Sequence, residues 1–247
     1  MSICIETKPN GQPMHFSQLG EQLRALAGQS VILQNCLGQR YIAAGQKNLR
    51  VEIEGIPGNA LGAYLGEGSS ITVHGNAQDA TGDTMSAGSI TIHGSTGDAA
   101  GYGMRGGMIL VKGNAGYRAG IHMKEYGKTC PKLIIGGCAG DFLGEYQAGG
   151  IIAVLGLGTE GKAPVGRFCG TGQHGGRIFL RGDALPAELP PQVSVRNAEQ
   201  ADLALLLPSL TQFCEAFGAD FSMLQASPYW LLTPNSSNPY TDLYAIY

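Results

Sequence analysis

Ile71-Thr-Val-His-Gly75, Ile90-Thr-Ile-His-Gly94 and Ile109-Leu-Val-Lys-Gly113 are three settings of one phrase, each 19 residues after the last. A branched aliphatic residue stands first and third, and glycine stands fifth. Alternation with a period of two marks a strand with one buried face. Upstream the phrase recurs as Val51-Glu-Ile-Glu-Gly55 and, in degenerate form, from Val31. Downstream it recurs as Leu133-Ile-Ile-Gly-Gly137, Ile152-Ala-Val-Leu-Gly156 and Ile178-Phe-Leu-Arg-Gly182. The eight starts lie 20, 20, 19, 19, 24, 19 and 26 residues apart. One short strand cannot bury its own apolar face, but stacked copies bury each other's.

Two further glycine columns run through the array. Gly62, Gly82, Gly101, Gly120 and Gly144 each stand eleven residues after a strand start. Gly68, Gly88, Gly107 and Gly150 stand seventeen after, and Gly127 follows one residue late. Glycine supplies positive φ or close backbone approach, so three glycine places per repeat imply three corners and three short faces. The expected fold is a right-handed parallel β-helix of about eight coils, its hand following the crossover rule. The Leu-x-x-Leu-x-Leu spacing of leucine-rich repeats is absent, and the spread of spacings disfavours a left-handed helix of strict sixes. Position six of the phrase reads Asn76, Ser95, Asn114 and Cys138, which predicts polar side chains bonded from rung to rung.

The array divides the chain into an N-terminal segment with a capping helix (1–30), the β-helix (31–182) and a C-terminal linker, helix and extended tail (183–247). A solenoid needs both open ends covered. Ser17 to Gly28 reads as a cap, with Ser17 as N-cap and Leu19, Leu23 and Leu26 on one face. Pro186, Pro190 and Pro191 mark the linker. Asn197-Ala-Glu-Gln200 reads as a capping box, opening a helix that Pro208 breaks or restarts and Gly218 ends. Trp230 and Pro239-Tyr240 suggest an extended tail lying on the protein. Outward strand positions turn from polar (Glu52, Glu54, Thr72, His74, Thr91, His93) to apolar (Leu110, Ile134, Ala153, Leu155, Phe179) along the rod. Such a face is covered either by the C-terminal segment or by a partner.

Composition sets the outer limits. The 39 glycines in 247 residues are more than twice the usual share of about 7%. A net charge of −3 with 14% charged residues gives no nucleic-acid footprint. Residues 1–10 hold neither a signal sequence nor a membrane span. The six cysteines include no CxxC pair, so a cluster or zinc held by this chain alone is not expected, and reduced thiols place the chain in the cytoplasm.

Several patterns admit a chemical reading. Gly156-Leu-Gly158-Thr-Glu-Gly161 matches GxGxxG after a strand, but Pro164 follows where a phosphate-binding helix should begin. His74 and His93 share a column and could share a metal, yet Lys112 comes next and no third ligand is evident. Cys169 and His174 could pair as nucleophile and base, without an orienting acid. The densest cluster spans the turns from Gly103 to Glu125. There Arg105, Arg118, His122, Lys124 and Glu125, with Glu145 a coil later, are candidates for facing a partner or bracing a corner. The apolar Leu110, Ile134, Leu155 and Phe179 are further interface candidates. No catalytic, cofactor-binding or metal residue is assigned. An independent β-helix enzyme of the pectin-degrading kind would need an acidic column, which Glu52 and Glu54 do not continue.

The runs Gly75-Asn-Ala-Gln-Asp-Ala-Thr-Gly-Asp-Thr-Met85, Gly101-Tyr-Gly-Met-Arg-Gly-Gly107, Gly116-Tyr-Arg-Ala-Gly-Ile-His-Met123 and Asp141-Phe-Leu-Gly-Glu-Tyr-Gln-Ala-Gly-Gly150 resemble the GXGXG family over about residues 30 to 182. This family includes the β-helix domain of the large glutamate synthase subunit, its stand-alone form in split archaeal-type enzymes, and a scaffold subunit of formylmethanofuran dehydrogenase. The C-terminal helix and Asn238-Pro-Tyr240 look like the stand-alone type. The resemblance implies a right-handed β-helix without catalytic residues of its own. It implies a structural subunit of an oxidoreductase complex of nitrogen metabolism and glutamate biosynthesis. The implied partners are an amidotransferase subunit and an FMN/iron–sulfur synthase subunit, which would carry the FMN and the cluster. A homo-oligomer remains open; nucleic acid and membrane are not expected partners. The alternative parent is a formylmethanofuran dehydrogenase-type complex.

Overall fold

The computed structural model describes residues 2–159 and 161–236. It is a parallel β-solenoid. Among the described residues nine strands stack in parallel: β1 (Ile3–Glu6), β2 (Ser30–Leu37), β3 (Arg50–Ile56), β4 (Ser70–Val73), β5 (Ser89–Ile92), β6 (Met108–Val111), β7 (Lys132–Ile135), β8 (Ala148–Val154) and β9 (Gly175–Arg181). The ladder places Val31, Val51, Ile71, Ile90, Ile109, Leu133, Ile152 and Ile178 in one register, which is the column of repeat starts. These residues and those two positions later, such as Val73, Ile92 and Val111, are all buried. The solenoid has about six turns, fewer than the eight coils expected.

A second, shorter ladder runs through Ala77, Thr96, Ala115, Ala139 and Val165. Beside it the predicted polar ladder forms. The Asn76 Oδ1 accepts from the Ser95 N–H (2.8 Å), Ser95 Oγ from Asn114 (3.0 Å), and Asn114 Oδ1 from Cys138 (2.8 Å). An aspartate ladder, missed in the sequence, repeats the device: Asp79 accepts from the Asp98 N–H, Asp98 from Tyr117 and Asp141 from Arg167. Glycine makes room for both. A Cβ on Gly94 would lie on Asn76 Oδ1 and 2.8 Å from the Gly75 carbonyl carbon. Gly75, Gly94, Gly113 and Gly137 do not have positive φ, so in these coils close approach rather than left-handed backbone requires glycine, whereas Gly55, Gly156 and Gly182 of the same column do have positive φ. Gly127 leaves its column altogether. Pro131, preceding Lys132, takes that register, and Gly127 lies in an open loop.

The ends are closed differently. The α1 helix (Phe16–Ala25) buries Leu19 and Leu23 in the same core as Ile5 and Val31. Its N-cap is His15, whose ring accepts from the Ser17 N–H; the expected cap, Ser17, sits inside the helix. At the other end, β11 (Tyr229–Pro234) pairs antiparallel with β9, and β10 (Val193–Asn197) pairs antiparallel with β11. Reversed strands stop the parallel stacking. Trp230 lies in β11; Pro239-Tyr240 fall outside the described residues. Between β10 and β11 run α2 (Gln200–Phe217) and α3 (Phe221–Ala226). The α2 capping box is made by Glu199 and Asp202, two residues later than expected, because β10 holds Asn197 in a strand. Pro208 is carried inside a continuous helix that ends at left-handed Gly218. Among the described residues no helix is long and apolar enough to cross a membrane.

The α2 helix lies on the apolar outer face. Leu110, Ile134, Leu155 and Phe179 form one buried cluster with Leu206, Leu210, Phe213 and Leu231. They are therefore corrected from partner-interface candidates to lid seats, because the chain covers this face itself. A Cβ on Gly136 would lie on the Lys112 carbonyl oxygen of the rung below and 2.7 Å from Phe213 Cζ, so glycine here admits both the close rung and the lid.

Candidate functional site

Each coil turns one corner on three alternate left-handed residues. The sets include Ala60/Gly62/Tyr64, Ala80/Gly82/Thr84, Ala99/Gly101/Gly103, Arg118/Gly120/His122, Phe142/Gly144/Tyr146 and Phe168/Gly170/Gly172, with φ between +52° and +78°. The hydrogen bonds explain the alternation. In the second set, Ala80 and Thr84 donate to carbonyls of the next rung (Asp98, Tyr102), and Gly82 donates back to Leu61. The middle residue faces the core. A Cβ on Gly82 would meet Ile109 Cδ1 at 2.5 Å, and one on Gly144 would meet Ile178 Cδ1 at 2.7 Å. The flanking residues face outward, where side chains of any size fit at the cost of left-handed backbone, about 1 kcal/mol each.

These outward side chains form a continuous strip. The His122 ring stacks on Tyr146 (5.1 Å) and meets the edge of Tyr102 (5.8 Å). Arg118 Nε donates to the buried Glu145 carboxylate at 2.8 Å, and its guanidinium lies 5.1 Å from the Phe142 ring. Phe142 stacks on Phe168 at 5.1 Å. Arg105 and Lys124 follow on successive rungs, their N–H groups bonded to the Met85 and Met104 carbonyls. Glu125 is exposed, and its carboxylate accepts from the Gly150 N–H (3.0 Å) and the Cys130 thiol, which burial and then this carboxylate push up to about 11. Six of the ten sequence candidates thus meet at this corner: Arg105, Arg118, His122, Lys124, Glu125 and Glu145. The aromatic members Tyr102, Phe142, Tyr146 and Phe168 were missed; their place on or beside the residues flanking the column glycines was the available signal.

The other patterns do not assemble into reactive sites. His74 and His93 stack at 5.3 Å, Glu52 lies 3.8 Å from His74, and Phe217 closes over His93. Burial, then His74 and Lys112, hold the His93 pKa below its ordinary value. Among the described residues no three His, Cys, Asp or Glu side chains are placed to hold a metal. Cys169 is fully buried, which pushes its thiol up to about 12, and the His174 ring bonds the Gly172 carbonyl. The described residues of the GxGxxG stretch, 156–159 and 161, lie outside helix and strand, and a Cβ on Gly156 would come 2.8 Å from Pro164 Cβ. A buried amide pair was also missed. Gln173 donates to Gln147 Oε1, and Gln147 to the Gly149 and Gly150 carbonyls, at the position that methionines fill in earlier coils.

A family model described as the GXGXG motif matches residues 20–226, a span that contains all of these corners. The chain belongs to the GXGXG family. An uncharacterized relative, MJ1350 of Methanocaldococcus jannaschii, is 44% identical over 248 residues, covering 95% of each chain. Among solved structures, a chain of the formyltransferase/hydrolase complex (FhcABCD) from Methylorubrum extorquens, in complex with methylofuran, shares the fold. The TM-score is 0.59 at 23% identity, over 81% of this chain and 72% of that one.

Proposed function

We propose that this GXGXG protein is a non-catalytic structural subunit of a split glutamate synthase-like complex. In that reading it joins an amidotransferase subunit to an FMN/iron–sulfur subunit, and those partners carry the cofactors. The observation that carries the proposal is the strip of exposed aromatic and basic side chains on a rod whose interior is filled with aliphatic residues. A rigid ladder that presents side chains outward is suited to bracing other subunits. The potential reactive groups are engaged elsewhere: Cys169 in the core, His93 beneath Phe217 and Glu145 on Arg118. All six cysteines are free, which supports a reducing compartment such as the cytoplasm.

A second reading is favoured by the likeness to a chain of the formyltransferase/hydrolase complex. The same scaffold would then serve a formylmethanofuran-type assembly. Native purification from source cells, with mass spectrometry of what co-elutes, separates the two. Flavin and amidotransferase subunits would support the first reading, and formyltransferase-type subunits the second. Glutaminase or synthase activity in the pure chain would overturn both.

A further inference from the structure

The structure points to the docking face of this subunit and to the chemistry of what docks there. We infer that the corner strip from Tyr102 to Phe168 receives an acidic surface of a partner subunit, with Arg105 and Lys124 meeting its carboxylates. This rests on the structural-subunit reading and names where such a subunit would be gripped.

Three observations converge. First, the aromatic side chains that are large and exposed, Tyr41, Tyr64, Tyr102, Tyr117, Tyr126 and Phe168, all lie in corner segments or the loop leaving them. Exposed aromatics beside arginine are the composition of interface centres, not of general surface. Second, Arg118, His122, Phe142, Tyr146 and Phe168 occupy left-handed positions. Gly103 and Gly172 hold equivalent positions without strain, and alanine suffices at residues 60, 80 and 99. The fold therefore does not require bulk there. Ring stacking along the strip offsets part of the cost, yet stacking would be available to aromatics on the strands without left-handed backbone. Third, the charges are left unbalanced on one side. Arg105 and Lys124 are exposed on adjacent rungs, about 4.8 Å apart at the backbone. Neither makes an ion pair among the described residues, and the acid next to Lys124 in sequence, Glu125, is engaged by the Gly150 N–H and the Cys130 thiol instead. Two cations held side by side repel each other until an anionic surface arrives. The chain as a whole carries a net charge of −3, so this pair stands out against an acidic background.

The test uses the full chain and the purified amidotransferase and FMN/iron–sulfur subunits of the proposed complex. Affinity is measured across a salt series for the wild type, for the double variant R105E/K124E, for Tyr102→Ala, and for E52K/E54K on the strand face as a control. The expected result is a loss of at least about tenfold for R105E/K124E, with a flattened salt dependence, and a comparable loss for Tyr102→Ala. The control should bind as the wild type does. Unfolding curves should coincide for wild type and R105E/K124E, since neither side chain is paired within the described residues. Unchanged affinity for both corner variants would overturn the inference while leaving the structural role intact. A loss in Tyr102→Ala alone would remove the acidic-partner assignment. Failure of the wild type to bind either subunit would remove the proposed function, and this inference with it.

Discussion

At the residue scale, glycine does three separate jobs in one repeat. Gly82 and Gly144 turn left-handed against the core, Gly94 and Gly97 yield space to a side chain from the rung below, and Gly136 seats Phe213. Their sequence columns look alike; their failures should differ. Gly94→Val is expected to destabilise by about 1–3 kcal/mol through overpacking against Asn76 and Gly75. Urea unfolding checks this, and pairing it with Asn76→Ala should recover part of the loss, since the clash lies on that side chain. Left-handed strain would give no such rescue. His93 makes a different prediction. Its folded pKa is below the ordinary 6.5, so the unfolded chain binds more protons in the window below 6.5. Stability should therefore fall as pH drops through that window, until the folded state also protonates. A melting-temperature series from about pH 7.5 to about pH 5 should show a steeper decline for wild type than for His93→Gln.

At the element scale, the eight repeat starts from Val31 to Ile178 were legible, because each strand buries the same two aliphatic positions, whereas β1 and β10 were not. The caps were less so. Ser17 and Asn197 satisfy capping patterns, yet His15 and Glu199 take those roles. A cap is decided by where the flanking chain leaves the helix, and β10 pulls Asn197 into a sheet that no local pattern foretells. The lid was legible only as a need: apolar residues faced outward from β6 to β9, and α2 answers them. Phe213→Ala is expected to cost about 3–5 kcal/mol, the range for losing a buried aromatic, read by thermal or urea unfolding. Cutting the chain after Gly182 should leave Ile134, Leu155 and Phe179 bare, so the rod should bind a hydrophobic dye and self-associate. A monomeric, dye-silent rod would sink the lid assignment.

For the whole molecule, the stack supplies what its separate coils lack. No coil buries its own face, and the two ends are finished by unlike devices: the α1 helix at the N-terminal end, and a reversed strand pair beyond β9. The purified chain should sediment as a discrete species rather than as open fibres, since β11 runs against the growth direction. Analytical ultracentrifugation over a concentration series would test this.

The sequence by itself determined the register of the ladder and the side-chain rungs through Asn76, Ser95 and Asn114. These follow from period, and period is a local property repeated. Tertiary structure alone decided that α2 hides the apolar face, that Glu145 belongs to Arg118, and that the aromatics of different coils join into one strip. Those facts depend on which residues a full turn of chain brings into contact. Separations of 19 to 27 residues in sequence become neighbouring rungs only once the solenoid has closed.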